Sequence, residues 1–233
     1  MICTKVLPDH LRASDVRVAA EGSLSRLGTD YIDLLYVHWP NKEIPLEETL
    51  GEMTRLKEEG KIRAVGVSNF DLPLMQQALS ITRIDALQPE FNLLERKVQL
   101  AGVLDFCKEN QISVLSYNSI AKGILSGAFH FYGAKLDADD FRNQKPLFSK
   151  ENLKIEEPLL RLLAELSEKY CASISRIAIA WVLAQHGMSS AIVGTQNENH
   201  FLDNLSASEL QLDEADLEAL NSCSSMVIER LVY

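Results

Sequence analysis

The residues best suited to chemistry in this sequence fall at the ends of short apolar runs. They are Lys5, His38, Ser68-Asn69, Gln88, Tyr117 and Gly194-Thr195. A lysine at such a place can act as a fixed charge or as an amine nucleophile. A histidine can donate to or accept from a reacting oxygen near neutral pH. Asparagine and glutamine amides can hold a polar ligand in one orientation, and a tyrosine supplies a flat apolar wall. Each also has an ordinary explanation. Lys5 would then be a solvated rim residue and His38 a core histidine bonded to backbone. Asn69 and Gln88 would cap loops, Tyr117 would pack a wall, and Gly194-Thr195 would form a turn. The recurrence of polar or aromatic strand ends is what favours a shared functional mouth.

The elements that would place these residues alternate. Ile32 to His38 is a short β-preferring run that Pro40 closes, which predicts a buried parallel strand. Further strands are expected at Ile2–Thr4, Ile62–Val67, Ile84–Leu87, Ile112–Ser116 and Ser190–Val193. Between them, apolar positions at helical spacing predict helices. One follows a Ser14-Asp15 cap, one carries Leu46, Leu50, Met53 and Leu56 up to Gly60, and one starts at Asp71 with Pro73 in its first turn. Others are expected at about 97–110, Pro158–Tyr170, Ser173–Gln185, Asn199–Leu205 and Asp213–Ser222. The stretch 119–156 has no clear period and reads as a long functional loop. An unbroken β-α series implies a parallel sheet, doubly wound or closed as a barrel. The absence of G-x-G-x-x-G after the first strand speaks against a Rossmann sheet.

Composition narrows the class. With 33 acidic and 23 basic residues the formal net charge is −10, and no Lys/Arg-rich run offsets it. Nucleic acid is therefore not an expected partner. Cys3, Cys107, Cys171 and Cys223 are widely spaced, with neither disulfide nor metal-site spacing, and read as reduced thiols of a cytoplasmic protein. No metal is expected, no run is long enough for a membrane span, and the 233 residues read as a single domain.

Five motifs carry a family resemblance. Leu35-Tyr36-Val37-His38-Trp39-Pro40, Lys61 through Phe70, Gln88-Pro89-Glu90-Phe91-Asn92, Leu115-Ser116-Tyr117-Asn118-Ser119, and Ile192-Val193-Gly194-Thr195 followed by Asp203-Asn204-Leu205 resemble the aldo-keto reductases. The resemblance spans essentially the whole chain. It implies a (β/α)8 TIM barrel that binds NADP(H), with NAD(H) as the other option, and reduces a small-molecule carbonyl substrate. Lys5 then matches the family's catalytic lysine and His38 its catalytic histidine. Ser68, Asn69 and Gln88 match the residues that hold the nicotinamide carboxamide, and Tyr117 the aromatic that stacks on the ring. Lys122 lies where the family often places a residue near the pyrophosphate. Gly194, Thr195 and Gln196 match the loop around the adenosine 2′-phosphate, and Asp203 with Asn204 the adenine contacts.

Two departures accompany the resemblance. The family's catalytic aspartate and tyrosine belong to βα units that precede the lysine strand, whereas this chain begins at that strand. Six of eight units are therefore expected, in an N-terminally shortened member with open edges through which copies could associate. Tyr36 shares the inward face of His38 but sits deeper, so it is not expected to serve as the proton donor. In the 2′-phosphate region Gln196 and His200 stand where many relatives have Lys or Arg, which leaves the choice between NADPH and NADH open. A nucleotide-binding or regulatory relative without turnover, and a barrel aldolase forming a Schiff base at Lys5, are the alternatives.

Overall fold

A computed structural model describes residues 1–195 and 197–232. Strands β1 (Cys3–Val6), β2 (Ile32–Val37), β3 (Ile62–Ser68), β4 (Ala86–Gln88), β5 (Ser113–Ser116) and β6 (Met188–Ala191) follow one another in chain order across the sheet. The pairings from β1 to β5 are parallel. The sheet is open, since among the described residues β1 and β6 each have a neighbour on one side only. A parallel, chain-ordered β/α series of this kind is that of a partial β/α barrel.

The residues group into two compact units, Met1–Pro89 with Val98–Leu115 and Glu90–Lys97 with Ser116–Tyr233. In the first unit, helices α1 (Ala13–Leu27), α2 (Leu46–Glu58) and α3 (Leu72–Ile81) follow β1, β2 and β3. The short helices α4 (Lys97–Leu100) and α5 (Val103–Glu109) precede β5. A continuous helix was expected over 97–110, but Gly102 takes a left-handed φ of 72° and divides it. Asp71 caps α3 as expected, its carboxylate accepting from Leu74 N at 3.0 Å. The expected cap of α1 is not used. The helix begins at Ala13, whose N–H donates to Glu48 of α2 at 2.9 Å, so a tertiary partner replaces the local one.

Alternate residues of a strand face opposite sides. One face of this sheet carries Leu34, Tyr36 and Ala86, with Ala64 and Leu115 packed on them. Lys5 is in register with Tyr36, Tyr36 with Gly66, and Gly66 with Ala86. Gly66 is the residue that makes room. A Cβ built there would lie 2.5 Å from two ring carbons of Tyr36.

In the second unit the expected loop 119–156 is largely ordered as short helical turns, including α6 (Ala128–Phe131). Helix α7 (Lys150–Lys169) starts at Ser149, whose hydroxyl accepts from Asn152 N at 3.1 Å. It therefore begins eight residues before Pro158, the expected start. Pro158 and Lys154 are both exposed, so the carbonyl that Pro158 leaves unpaired is solvated. Helix α8 (Ile174–Leu183) supplies Trp181, stacked on Phe91 with ring centroids 5.4 Å apart. Helices α9 (Glu198–Ser206) and α10 (Glu214–Ile228) complete the unit. Asn221 of α10 accepts from Trp181 Nε1 at 3.0 Å, and its carbonyl accepts from Arg96 at 2.9 Å. These contacts anchor the segment Glu90–Lys97 within its unit.

Two groups of this unit bear on stability. Glu156 of α7 is fully buried with no hydrogen-bond partner for either oxygen, and burial pushes its pKa up to about 8. His130 Nε2 lies 3.7 Å from it, but burial lowers the imidazole's pKa, so the pair is neutral and not an ion pair. The folded state then holds a proton on Glu156 that the unfolded chain, with an ordinary value of 4.5, gives up earlier. Stability should fall as pH rises from about 4.5 through about 8, and Glu156→Gln should flatten that slope. Denaturant midpoints measured across this range check it. Equal slopes in the two proteins would contradict it.

Candidate active site

The first unit brings five of the expected residues together at the C-terminal ends of β1 to β4. Lys5 lies in β1 itself, whereas the expected strand ended one residue earlier. His38 follows β2 and is fixed by its backbone on two sides. Its N–H donates to Val6 O at 3.0 Å, and its carbonyl accepts from Asn69 Nδ2 at 3.1 Å. Asn69 follows β3 in a left-handed conformation, φ 61°, which asparagine tolerates better than most residues. The same amide donates to Ser68 Oγ at 3.0 Å, and Ser68 Oγ donates to Gln88 O at 2.6 Å. Asn69 N–H donates to that carbonyl too, at 3.3 Å. The ends of β2, β3 and β4 are thus laced together by the side chains expected to grip a carboxamide.

Burial acts on the two basic groups of this edge. Burial lowers the pKa of Lys5. Burial first, and the Lys5 charge second, lower that of His38. The imidazole is therefore neutral at pH 7 and able to donate a hydrogen bond without carrying a charge. Tyr36, beside Lys5 in register, is fully buried. Its hydroxyl makes no hydrogen bond of normal geometry. Burial raises its pKa well above the ordinary value, and the Gln88 amide offsets little of this. The Tyr36 phenol therefore holds its proton tightly at neutral pH.

The second unit holds the remaining residues. Tyr117 directly follows β5, is half-buried, and is bridged through its backbone to Glu90, while its carbonyl accepts from Phe91 N at 3.3 Å. Lys122 lies in the turn after it, with its ammonium 3.6 Å from Glu90 Oε1. Gly194 and Thr195 are exposed, and Thr195 Oγ1 donates to Asn197 O at 3.0 Å. Gln196 lies outside the described residues. Asp203, on α9, accepts from Ser173 Oγ at 2.5 Å and stands 3.9 Å from Arg176 Nε. Asn204 is half-buried on the same helix. Glu90 is the residue whose place sequence reasoning missed. It stands inside the Gln88–Asn92 motif, but nothing in the linear pattern shows that it meets the turn after β5.

Among the described residues no group of three or more His, Cys, Asp or Glu side chains could hold a metal. Among the same residues no helix is long and apolar enough to cross a membrane.

Known proteins resemble this chain over most of its length. The "Aldo-keto reductase YhdN" of Bacillus subtilis is 37% identical over 188 residues, 80% of this chain and 56% of that protein. The "NADH-specific methylglyoxal reductase" of Escherichia coli is 30% identical over 210 residues, 89% of this chain and 63% of that protein. The chain thus spans less than two thirds of the length of either relative. An aldo/keto reductase from Klebsiella pneumoniae, solved with NADP and acetate, is 28% identical. It superimposes with a TM-score of 0.73 over 95% of this chain and 69% of its own. The profile of the aldo/keto reductase family matches residues 1–225, from the lysine strand into the last helix. The chain therefore belongs to the aldo/keto reductase family.

Proposed function

We propose that the chain binds a nicotinamide dinucleotide and uses it to reduce aldehyde or ketone groups. One observation carries this reading, the laced strand ends that fix Ser68, Asn69 and Gln88 beside a neutral His38 and the Lys5 ammonium. The residues fit the group. Amides locked at rigid strand ends can pair with a carboxamide and present one face of its ring. The reduced nicotinamide supplies the hydride. As charge grows on the substrate oxygen, His38 donates a hydrogen bond to it and fixes its direction, and the resulting alkoxide takes its proton from solvent water. Lys5 adds positive potential at the same edge. The amide edge has no task in Schiff-base chemistry at Lys5, which sets that alternative aside.

The nucleotide preference follows from the far end of the ligand. The sequence has no Lys or Arg between Gly194 and Asn204. Within that segment a 2′-phosphate meets no such cation, and Arg176 beside it faces the Asp203 carboxylate at 3.9 Å. A full charge-assisted bond, typically worth about 1.5–3 kcal/mol, is therefore not expected. We expect NADPH and NADH to bind within about tenfold of each other, since no such bond separates them. Among the relatives, the Escherichia coli protein is named an NADH-specific reductase and the Klebsiella pneumoniae protein was solved with NADP. Fluorescence titration of the folded chain with each nucleotide tests this. Failure of both to saturate would remove the nucleotide reading. A preference for NADPH above about a hundredfold would show a phosphate contact of the strength excluded here.

A further inference from the structure

The turn after β5 is the most strained stretch of backbone in the structure. Asn118, Ala121 and Lys122 have φ of 59°, 48° and 55°, three of the six non-glycine residues with positive φ among those described, and Gly123 follows at 102°. Such conformations persist only where the surroundings over-determine them. Here the over-determination centres on one carboxylate. Glu90 Oε1 accepts a short hydrogen bond from Asn118 Nδ2. The other end of that amide, Asn118 Oδ1, accepts from Lys122 N at 2.6 Å. Asn118 O accepts from Ala121 N at 2.8 Å and from Asn92 Nδ2 at 3.0 Å. Arg142 Nη1 closes the far side by donating to Lys122 O at 3.2 Å. The same Glu90 Oε1 also faces the Lys122 ammonium at 3.6 Å, in a pair about one third exposed.

We propose that Glu90 is a positioning residue for phosphate capture, holding the turn through Asn118 and parking the Lys122 ammonium until a nucleotide phosphate takes it. The inference rests on the nucleotide reading above. The two tasks of the carboxylate have opposite consequences. As a hydrogen-bond acceptor it keeps Lys122 where a phosphate can reach it. As an anion beside the ammonium it competes with that phosphate. The ion pair is solvated enough to be weak, so a phosphate bearing more charge can displace it. Asn118 remains on Glu90 when Lys122 leaves, so the turn keeps its shape.

A charge-only variant and a truncation should therefore move affinity in opposite directions. Glu90→Gln retains an acceptor for Asn118 and removes the competing charge. The Kd for NADPH should fall about two- to fivefold, the scale of an exposed ion pair. Glu90→Ala releases the strained turn, and Kd should rise about tenfold or more. In a Lys122→Met background the gain from Glu90→Gln should vanish, because no ammonium is left to release. A second readout needs no nucleotide. Acylation of Lys122 by a soluble amine reagent, followed by peptide mass spectrometry, should be faster in Glu90→Gln because the amine is no longer held against a carboxylate.

An unchanged or raised Kd in Glu90→Gln would overturn the proposal, as would a gain that persists in the Lys122→Met background. Unchanged acylation would do the same. If the wild-type chain bound no nucleotide, the function proposed above would fall and the phosphate step with it. The acylation rate would then decide the Glu90–Lys122 pairing by itself.

Discussion

Replacing His38 by alanine lowers kcat for carbonyl reduction by about 10²–10⁴-fold, the range of one positioned acid-base or donor group. Nucleotide Kd stays within about threefold of the wild type, because the imidazole is a donor for the reacting oxygen and not for the dinucleotide. His38 has its own backbone N–H on Val6 and its own carbonyl on Asn69 Nδ2. Both contacts survive truncation of the side chain, so the carboxamide edge stays in place while the donor is lost. Steady-state assays with a reactive aldehyde, alongside nucleotide titration, separate the two quantities. A Kd that rose in parallel with the fall in kcat would mean that His38 shapes the nucleotide site, and the donor role would be wrong.

The second large effect is on stability. Gly66→Ala places a methyl group 2.5 Å from Cδ1 and Cε1 of Tyr36, a ring that is fully buried and stacked over the middle of the sheet. Neither the strand backbone nor the ring can withdraw without disturbing Leu34 and Ala86 beside it. Overpacking of this kind typically costs about 1–3 kcal/mol, and the closeness here places it at the upper end. The denaturant midpoint should drop accordingly. In a Tyr36→Ala background the same substitution should cost much less, since the two sites touch and their effects couple. Equal costs in both backgrounds would show that the ring is not what Gly66 accommodates.

How much of this was legible in the linear sequence differs between the strand ends and the rest. His38, Ser68, Asn69 and Gln88 could be placed because each ends an apolar run whose period fixes the strand and hence the face. Their mutual hydrogen bonds follow from register, which the strands share. The starts of α1 and α7 were not legible, for opposite reasons. At α1 a carboxylate from another helix, Glu48, replaces the local cap that Ser14 and Asp15 could have formed. At α7 a good local cap, Ser149, was overshadowed by Pro158, which resembles a first-turn proline but sits on an exposed face where a missing donor is tolerated. The loop 119–156 hid its order because short turns held by Asn118, Asp140 and Arg142 leave no periodic trace. Glu90 and Glu156 illustrate the same limit. A buried or hub carboxylate reads in sequence like any surface glutamate until its partners, or their absence, are seen.

A nicotinamide held at the laced strand ends would present one ring face to a carbonyl. Stereospecific label transfer tests this most directly. The chain is incubated with a reactive aldehyde and NADPH carrying deuterium at one or the other of the two C4 positions, and the alcohol is analysed by mass spectrometry. Deuterium should appear in the product from one stereoisomer only, and His38→Ala should slow its appearance without changing which isomer delivers it. Transfer from both isomers, or none after an incubation long enough to reveal a 10⁴-fold slower enzyme, about the most that loss of a single acid group costs, would contradict it.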